Sequence, residues 1–250
     1  MSLGTDTKLK KVIDLVRQKG VLTASYLRKE GISYQSMLEY RKSGWLESLG
    51  VGAFCGRGAK PSLDIALVAL AEQLGLPLHL GRRSALARRG VMQYVPIGGL
   101  PSDVYLRRGV RLPKWFSDTY AGQFVRNSTC LFPDETGVEH GMSDYAVSSP
   151  ERAFLELAAE VPKKLAVGEL YQLMEFADTL RPGLVFELLS KCGSIKAKRI
   201  FLLLAEDLGY WWMNKIDITG IDLGSGCRVI DKDGVFNAKY NLVVKPWREI

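Results

Sequence analysis

From Lys8 to Lys19, Leu9, Val12, Ile13, Leu15 and Val16 recur at spacings of three and four, while Lys10, Lys11, Asp14, Arg17 and Gln18 fall mostly on the other side. That period predicts an amphipathic helix, and Gly20 stops it. Thr23 is placed to cap a second helix running from Ala24 through Tyr26 and Leu27 to Glu30, with Gly31 suited to the left-handed position that ends it. Ser33 caps a third helix, Tyr34 to Lys42. Its expected inward face is Tyr34, Met37, Leu38 and the aliphatic stem of Arg41, leaving Gln35, Ser36, Glu39 and Lys42 outward. After Ser43 and Gly44, the segments WLESLG and GAFC alternate apolar and polar positions around Gly50-Val51-Gly52, as a short hairpin does. Two helices joined at a tight turn and followed by a hairpin make the layout of a winged helix-turn-helix.

Beyond residue 60 the pattern changes. Leu63 to Leu74 is apolar nearly all round, which predicts a buried helix. A short strand at Leu78 to Leu80 leads into a helix starting near Arg83 or Ser84, with strand-like pieces at Val91 to Val95 and Asp103 to Leu106. Ser148 with Glu151, or Ser149 with Pro150, caps a helix whose apolar face is Phe154, Leu155, Leu157 and Ala158. Further helices are expected at Val167 to Thr179, Pro182 to Cys192 and Ser194 to Leu208, and a terminal hairpin around Lys232-Asp233-Gly234. The expected architecture is α+β, with a winged helix-turn-helix domain over residues 1–60 and a larger mixed α/β domain over 61–250.

Charge sharpens this picture. The first 60 residues hold 11 Lys/Arg against 5 Asp/Glu, so nearly all of the net charge of +7 resides in one quarter of the chain. Duplex DNA rewards clustered cations through counterion release, so charge and pattern together point to DNA. Ser33, Tyr34, Gln35 and Ser36, in the first turn of the third helix, are the candidate base contacts. Tyr40, Arg41 and Lys42 further along, and Arg57 and Lys60 beside the wing, are the candidate phosphate contacts. A small helical module that binds protein instead is the competing reading. A second basic region between Gly81 and Lys114 has 8 basic residues against Asp103 alone, with doublets at Arg82-Arg83, Arg88-Arg89 and Arg107-Arg108. It reads either as a second surface, for DNA, for RNA or a nucleotide (as in a nucleic-acid-acting enzyme) or for an acidic partner, or as arginines that pack their stems and pair internally with later carboxylates. Lys196, Lys198 and Arg199 open a helix whose macrodipole they oppose, which marks them as a further candidate surface.

No catalytic constellation appears. The serines before Glu151 and Arg152 are explained by capping, and no His completes a nucleophile and base nearby. His79 and His140 are the only histidines, and Cys55, Cys130, Cys192 and Cys227 are widely spaced, so no metal site is expected. Asp231-Lys232-Asp233-Gly234 matches the start of a calcium loop but lacks its later acidic ligand. No cofactor motif is present, no run of about 18 apolar residues suits a membrane span, and a cytoplasmic protein is expected.

Three segments together, TASYLRKEGISYQSMLEYRKSGWLESLGVGAF, VSSPERAFLELAAEVP and LRPGLVFELLSKCGSIKAKRIFLLLAEDLGYWWMNKIDITGIDLGSGCRVI, resemble the AbiEi-type antitoxins of bacterial type IV toxin-antitoxin systems. The resemblance covers most of the chain. It implies a non-enzymatic protein of abortive infection and phage defence, whose winged helix represses its own operon at promoter repeats. It also implies a C-terminal antitoxin domain that counters a nucleotidyltransferase toxin without a stable complex. In that family's terms Ser33 to Ser36 begin the recognition helix and Tyr40-Arg41-Lys42 form its basic end. A winged-helix regulator with no toxin partner is the alternative.

Overall fold

The computed structural model describes residues 3–91, 100–128, 131–141 and 144–247. The expected strand at Val91 to Val95 falls, from residue 92 on, outside them, as does Cys130. The chain forms two compact units, and neither ends at residue 60. One comprises Met1–Leu78, Leu106–Val125 and Gly141–Tyr145, and the other His79–Tyr105, Arg126–His140 and Ala146–Ile250.

In the first unit, α1 (Leu3–Lys19) leads into a three-residue strand, β1 (Val21–Thr23). Helix α2 (Ala24–Lys29) begins at Thr23, whose side chain accepts from the Tyr26 N–H, and α3 (Tyr34–Lys42) begins at Ser33, which accepts from the Ser36 N–H. The wing is β2 (Leu46–Gly50) with β3 (Ala53–Gly56). β3 is the central strand, pairing antiparallel with β2 on one side and with β1 on the other, Leu22 opposite Phe54. Val12, Leu22, Leu27, Ile32, Met37, Tyr40, Leu46 and Phe54 are packed together as the core, so helices and sheet are one hydrophobic body. This is the topology of a winged helix-turn-helix.

Two further pieces complete this unit. α4 (Leu63–Val68) continues as a π-helical turn over Ala69–Gln73. Gln73 is buried, accepts from the Thr23 N–H at 2.8 Å and donates to the Val21 carbonyl at 2.7 Å, so it satisfies the outer edge of β1. The sequence pattern did not indicate α6 (Lys114–Thr119), which packs against the wing. The Thr119 hydroxyl donates to the Leu49 carbonyl at 3.1 Å, and a Cβ placed on Gly50 would lie 2.8 Å from the Trp115 Cβ.

The second unit is built on a five-stranded sheet of β4 (Leu78–Leu80), β5 (Ser102–Leu106), β6 (Phe124–Asn127), β7 (Val138–Glu139) and β8 (Ala146–Ser148), in the order β6-β5-β4-β8-β7. β4 and β8 run parallel. Helices α5 (Arg82–Arg88), α7 (Pro150–Glu160), α8 (Val167–Met174), α9 (Pro182–Lys191) and α10 (Ile195–Asp207) supply the rest, with α7 packed on both α5 and α10. Ser149, not Ser148, caps α7 by accepting from the Arg152 N–H, and α8 stops short of the expected Thr179.

The expected terminal hairpin is corrected. β9 (Arg228–Val229) and β10 (Val235–Asn237) flank the Asp231–Gly234 turn but do not pair with each other. Both pair with β11 (Leu242–Val244), β9 in parallel and β10 antiparallel. The reversal lies one turn later, where Asn241 adopts a φ of 49° and the Asn237 side chain accepts from the Tyr240 N–H.

Gly50 has a φ of 134°, where an L side chain is strained, and it abuts Trp115. Gly50→Ala is expected to destabilise the first unit by about 2 to 3 kcal/mol through overpacking and backbone strain, measured by urea unfolding. A loss below about 0.5 kcal/mol, the ordinary range for a surface change, would show that α6 does not brace the wing.

Candidate nucleic-acid interface

The rotation of α3 is set by what it buries. Ile32 just before it, and Met37 and Tyr40 within it, are 5% exposed or less and point into the core. Tyr34 is 61% exposed. Several expectations change accordingly: Tyr34 and Arg41, expected inward, lie on the outer face, Ser36, expected outward, is half-buried, and Tyr40, expected at phosphates, is buried in the core. Burial raises the Tyr40 phenol above its ordinary pKa. The outward residues are Ser33, Tyr34, Gln35, Glu39, Arg41 and Lys42, with Ser36 and Leu38 half-buried.

Within the first turn the serines are already engaged. The Ser33 hydroxyl caps the helix at 3.1 Å from the Ser36 nitrogen and lies 2.9 Å from the Ser36 hydroxyl. Gln35 donates from Nε2 to the Glu39 carboxylate at 3.3 Å, one helical turn on. Tyr34 and Gln35 are therefore the long side chains that the first turn offers outward. This face can present hydrogen-bonding and apolar groups to base edges from an element of regular geometry.

Cations gather around the far end of α3. Arg41 and Lys42 are exposed in its last turn, and Arg57 and Lys60 follow β3 and are exposed as well. A Cβ on Gly44 would stand 3.1 Å from the Arg57 guanidinium, so Arg57 extends over the residues that end α3. Beside it a cleft of about 420 Å³ is lined by Val12, Val16, Arg17, Gly44, Trp45 and Arg57 among others. The wing tip carries no charge: Val51 is 93% exposed between Gly50 and Gly52. Exposed Lys114 enters from a distant part of the sequence, because its neighbour Trp115 is seated against Gly50. A charge count along residues 81–114 includes Lys114, but only the packing of α6 brings it to the wing.

The second set of basic candidates is mostly internal. Arg82, Lys198 and Arg199 are 6% exposed or less. Arg82 donates to the Asn127 side chain at 2.8 Å and pairs with Asp103 and Glu160. Arg89 pairs with Glu139 at 2.8 Å and donates to the Ser148 carbonyl at 2.8 Å, while Arg83 pairs with Glu169. Lys196 donates to the Ala159 and Val161 carbonyls, where α7 ends. Its charge therefore serves the negative end of another helix, which accounts for a cation at the unfavourable end of its own. Arg199 donates to the carbonyls of Leu223, Gly224, Gly226 and Asn241, tying α10 to the C-terminal segment. Arg88, Arg107 and Arg108 are the exposed members. Of the others, Arg82, Arg83, Arg89, Lys196 and Arg199 meet internal acceptors and Lys198 is buried.

Arg82 and Arg152 belong to a buried cluster around Glu156. Its carboxylate accepts from the Arg82 N–H, the Ser148 hydroxyl and Arg152 Nε, at 3.0 to 3.1 Å for the closest of each, and His79 Nε2 lies 3.5 Å away. Burial pushes the Glu156 pKa up, but His79, Arg152 and the Arg82 N–H outweigh it and hold the carboxyl below its ordinary value. A group of three or more His, Cys, Asp or Glu residues able to hold a metal is absent among the described residues. No helix among them is long and apolar enough to cross a membrane.

Two family models match this chain. Residues 5–97 match the N-terminal domain of the AbiEi antitoxin transcriptional regulators, and residues 103–245 match the model described as "Transcriptional regulator, AbiEi antitoxin, Type IV TA system". No curated protein matches. Among solved structures the chain is similar to the RV2827C protein from Mycobacterium tuberculosis, at 17% identity and a TM-score of 0.61, over 96% of this chain and 92% of that one. That similarity is one of fold.

Because Arg199 satisfies four carbonyls inside the protein, Arg199→Lys is expected to cost about 3 kcal/mol of stability, since an ammonium cannot reproduce the guanidinium fork. Urea unfolding checks this, and a change within about 0.5 kcal/mol would return Arg199 to the surface. A linked expectation follows from Glu156, whose depressed folded-state pKa contributes stability above the ordinary carboxylate range that is lost as pH falls through it. The urea midpoint should therefore fall on acidification, and it should fall less steeply in Glu156→Gln.

Proposed function

This chain belongs to the AbiEi antitoxin family of transcriptional regulators of type IV toxin-antitoxin systems, and from that membership we propose that it binds duplex DNA upstream of its own gene and represses it. α3 enters the major groove with its first turn toward the bases. Arg41, Lys42, Arg57, Lys60 and Lys114 lie along the flanking phosphates. The observation that carries this reading is the orientation of α3: Met37 and Tyr40 are held in the core, while Tyr34 and Gln35 are left outward beside an exposed cluster of cations. Phosphate contacts would position the protein, and the first turn would supply the sequence preference.

The antitoxin role is to counter a nucleotidyltransferase toxin without forming a stable complex. The larger unit is the proposed seat of that role. A nucleotidyltransferase-like reading frame is expected directly downstream of this gene, and its absence would leave a winged-helix regulator alone.

Fluorescence anisotropy with a duplex from upstream of the gene and a random duplex of equal length tests the DNA half. The upstream duplex should bind more tightly, and affinity should fall steeply with salt. Arg41→Ala with Lys42→Ala should weaken binding to both duplexes and reduce the slope of log affinity against log salt by about 2, roughly one for each phosphate no longer neutralised. Equal binding of the two duplexes by the unaltered chain would overturn the repressor reading.

A further inference from the structure

Building on the DNA-binding reading, we propose that Gln35 reads an adenine in the major groove and that Glu39 is the residue that positions its amide. The first turn of α3 has little else to read with. The Ser33 hydroxyl is occupied as the helix cap and lies against the Ser36 hydroxyl at 2.9 Å, and Ser36 is half-buried. Tyr34 is outward but brings a single hydroxyl. Gln35 alone in that turn carries a donor and an acceptor side by side.

Its orientation is set by Glu39. A carboxylate only accepts hydrogen bonds, so at 3.3 Å it selects the rotamer that turns the Gln35 Nε2 toward it. That leaves the second N–H of Nε2 and the Oε1 lone pairs. Adenine offers the matching edge, with N7 as acceptor and the N6 amino group as donor. Guanine offers two acceptors, N7 and O6, and would set its O6 against the Gln35 oxygen. The pairing also accounts for an acid on this face. A carboxylate near phosphates lowers affinity for any duplex, so Glu39 weakens binding overall while sharpening discrimination.

The test uses the full chain and a duplex selected by it from a random library, with adenines replaced one at a time by 7-deazaadenine, which lacks the N7 acceptor. At one position the replacement should weaken binding about tenfold, the low end of what a bidentate base contact provides. Gln35→Ala should bind the two duplexes equally. Glu39→Gln, whose amide accepts either orientation of Gln35, should bind random duplex at least as tightly while losing most of its preference for adenine over guanine at that position. A role in helix stability alone would shift every duplex together and leave that preference intact. If no sequence is enriched by the selection, the DNA-binding reading falls and the inference with it. If a sequence is enriched but no adenine is N7-sensitive, or Gln35→Ala keeps the sensitivity, the inference alone is overturned.

Discussion

Taking a guanidinium out of water is expensive unless its donors are met, on the order of several kcal/mol for an unpaired ion, and this constraint sorts the basic residues of the chain. In the larger unit Arg82, Arg89, Arg152 and Arg199 each reach carboxylates or backbone carbonyls. Having met those acceptors they hold the sheet, α7, α10 and the C-terminal segment in place. Their positive charge is used within the fold. The cations around α3 are exposed, and in them charge remains for a polyanion. A single net charge of +7 therefore hides two populations with different work to do.

The same logic, applied to apolar groups, sets which face of α3 is left outward. Tyr34 and Tyr40 are six residues apart, about 120° around a helix of 3.6 residues per turn, so one core cannot hold both. Burial of Met37 and Tyr40 against Leu22, Leu27 and Phe54 decides the matter and leaves Tyr34 and Gln35 outside. The wing is similarly fixed from behind, where Trp115 meets Gly50 and Thr119 meets Leu49. α3, held to the core by Met37 and Tyr40, carries its first turn on a packed element, as the proposed base recognition requires.

Local signals were legible in the sequence and long-range ones were not. The caps at Thr23 and Ser33, the extent of α3 and the strands of the wing follow from residue types within a few positions of each other. β1 has no local signature, because three residues become a strand only when β3, some thirty residues later, pairs with them. α6 has no capping side chain to announce it, and its role depends on contact with the wing. The terminal turn was visible at Asp233-Gly234, but the parallel pairing of β9 with β11 has no local signature. Lys196 and Arg199 read as a surface because cations on a helix look alike whether they meet solvent, the end of α7 or the carbonyls of the C-terminal segment. The family resemblance carried the antitoxin assignment, which no spacing of residues could have supplied.

α3 and the wing are the proposed DNA-contacting elements, and the charges of Lys196 and Arg199 on α10 are met internally. Hydrogen-deuterium exchange of the full chain, with and without a saturating duplex from upstream of its gene, compares the two directly. Slowed exchange confined to residues 33–42 and 46–60, with residues 195–205 unchanged, is the predicted result. Slowed exchange centred on 195–205, with none in 33–42, would contradict it.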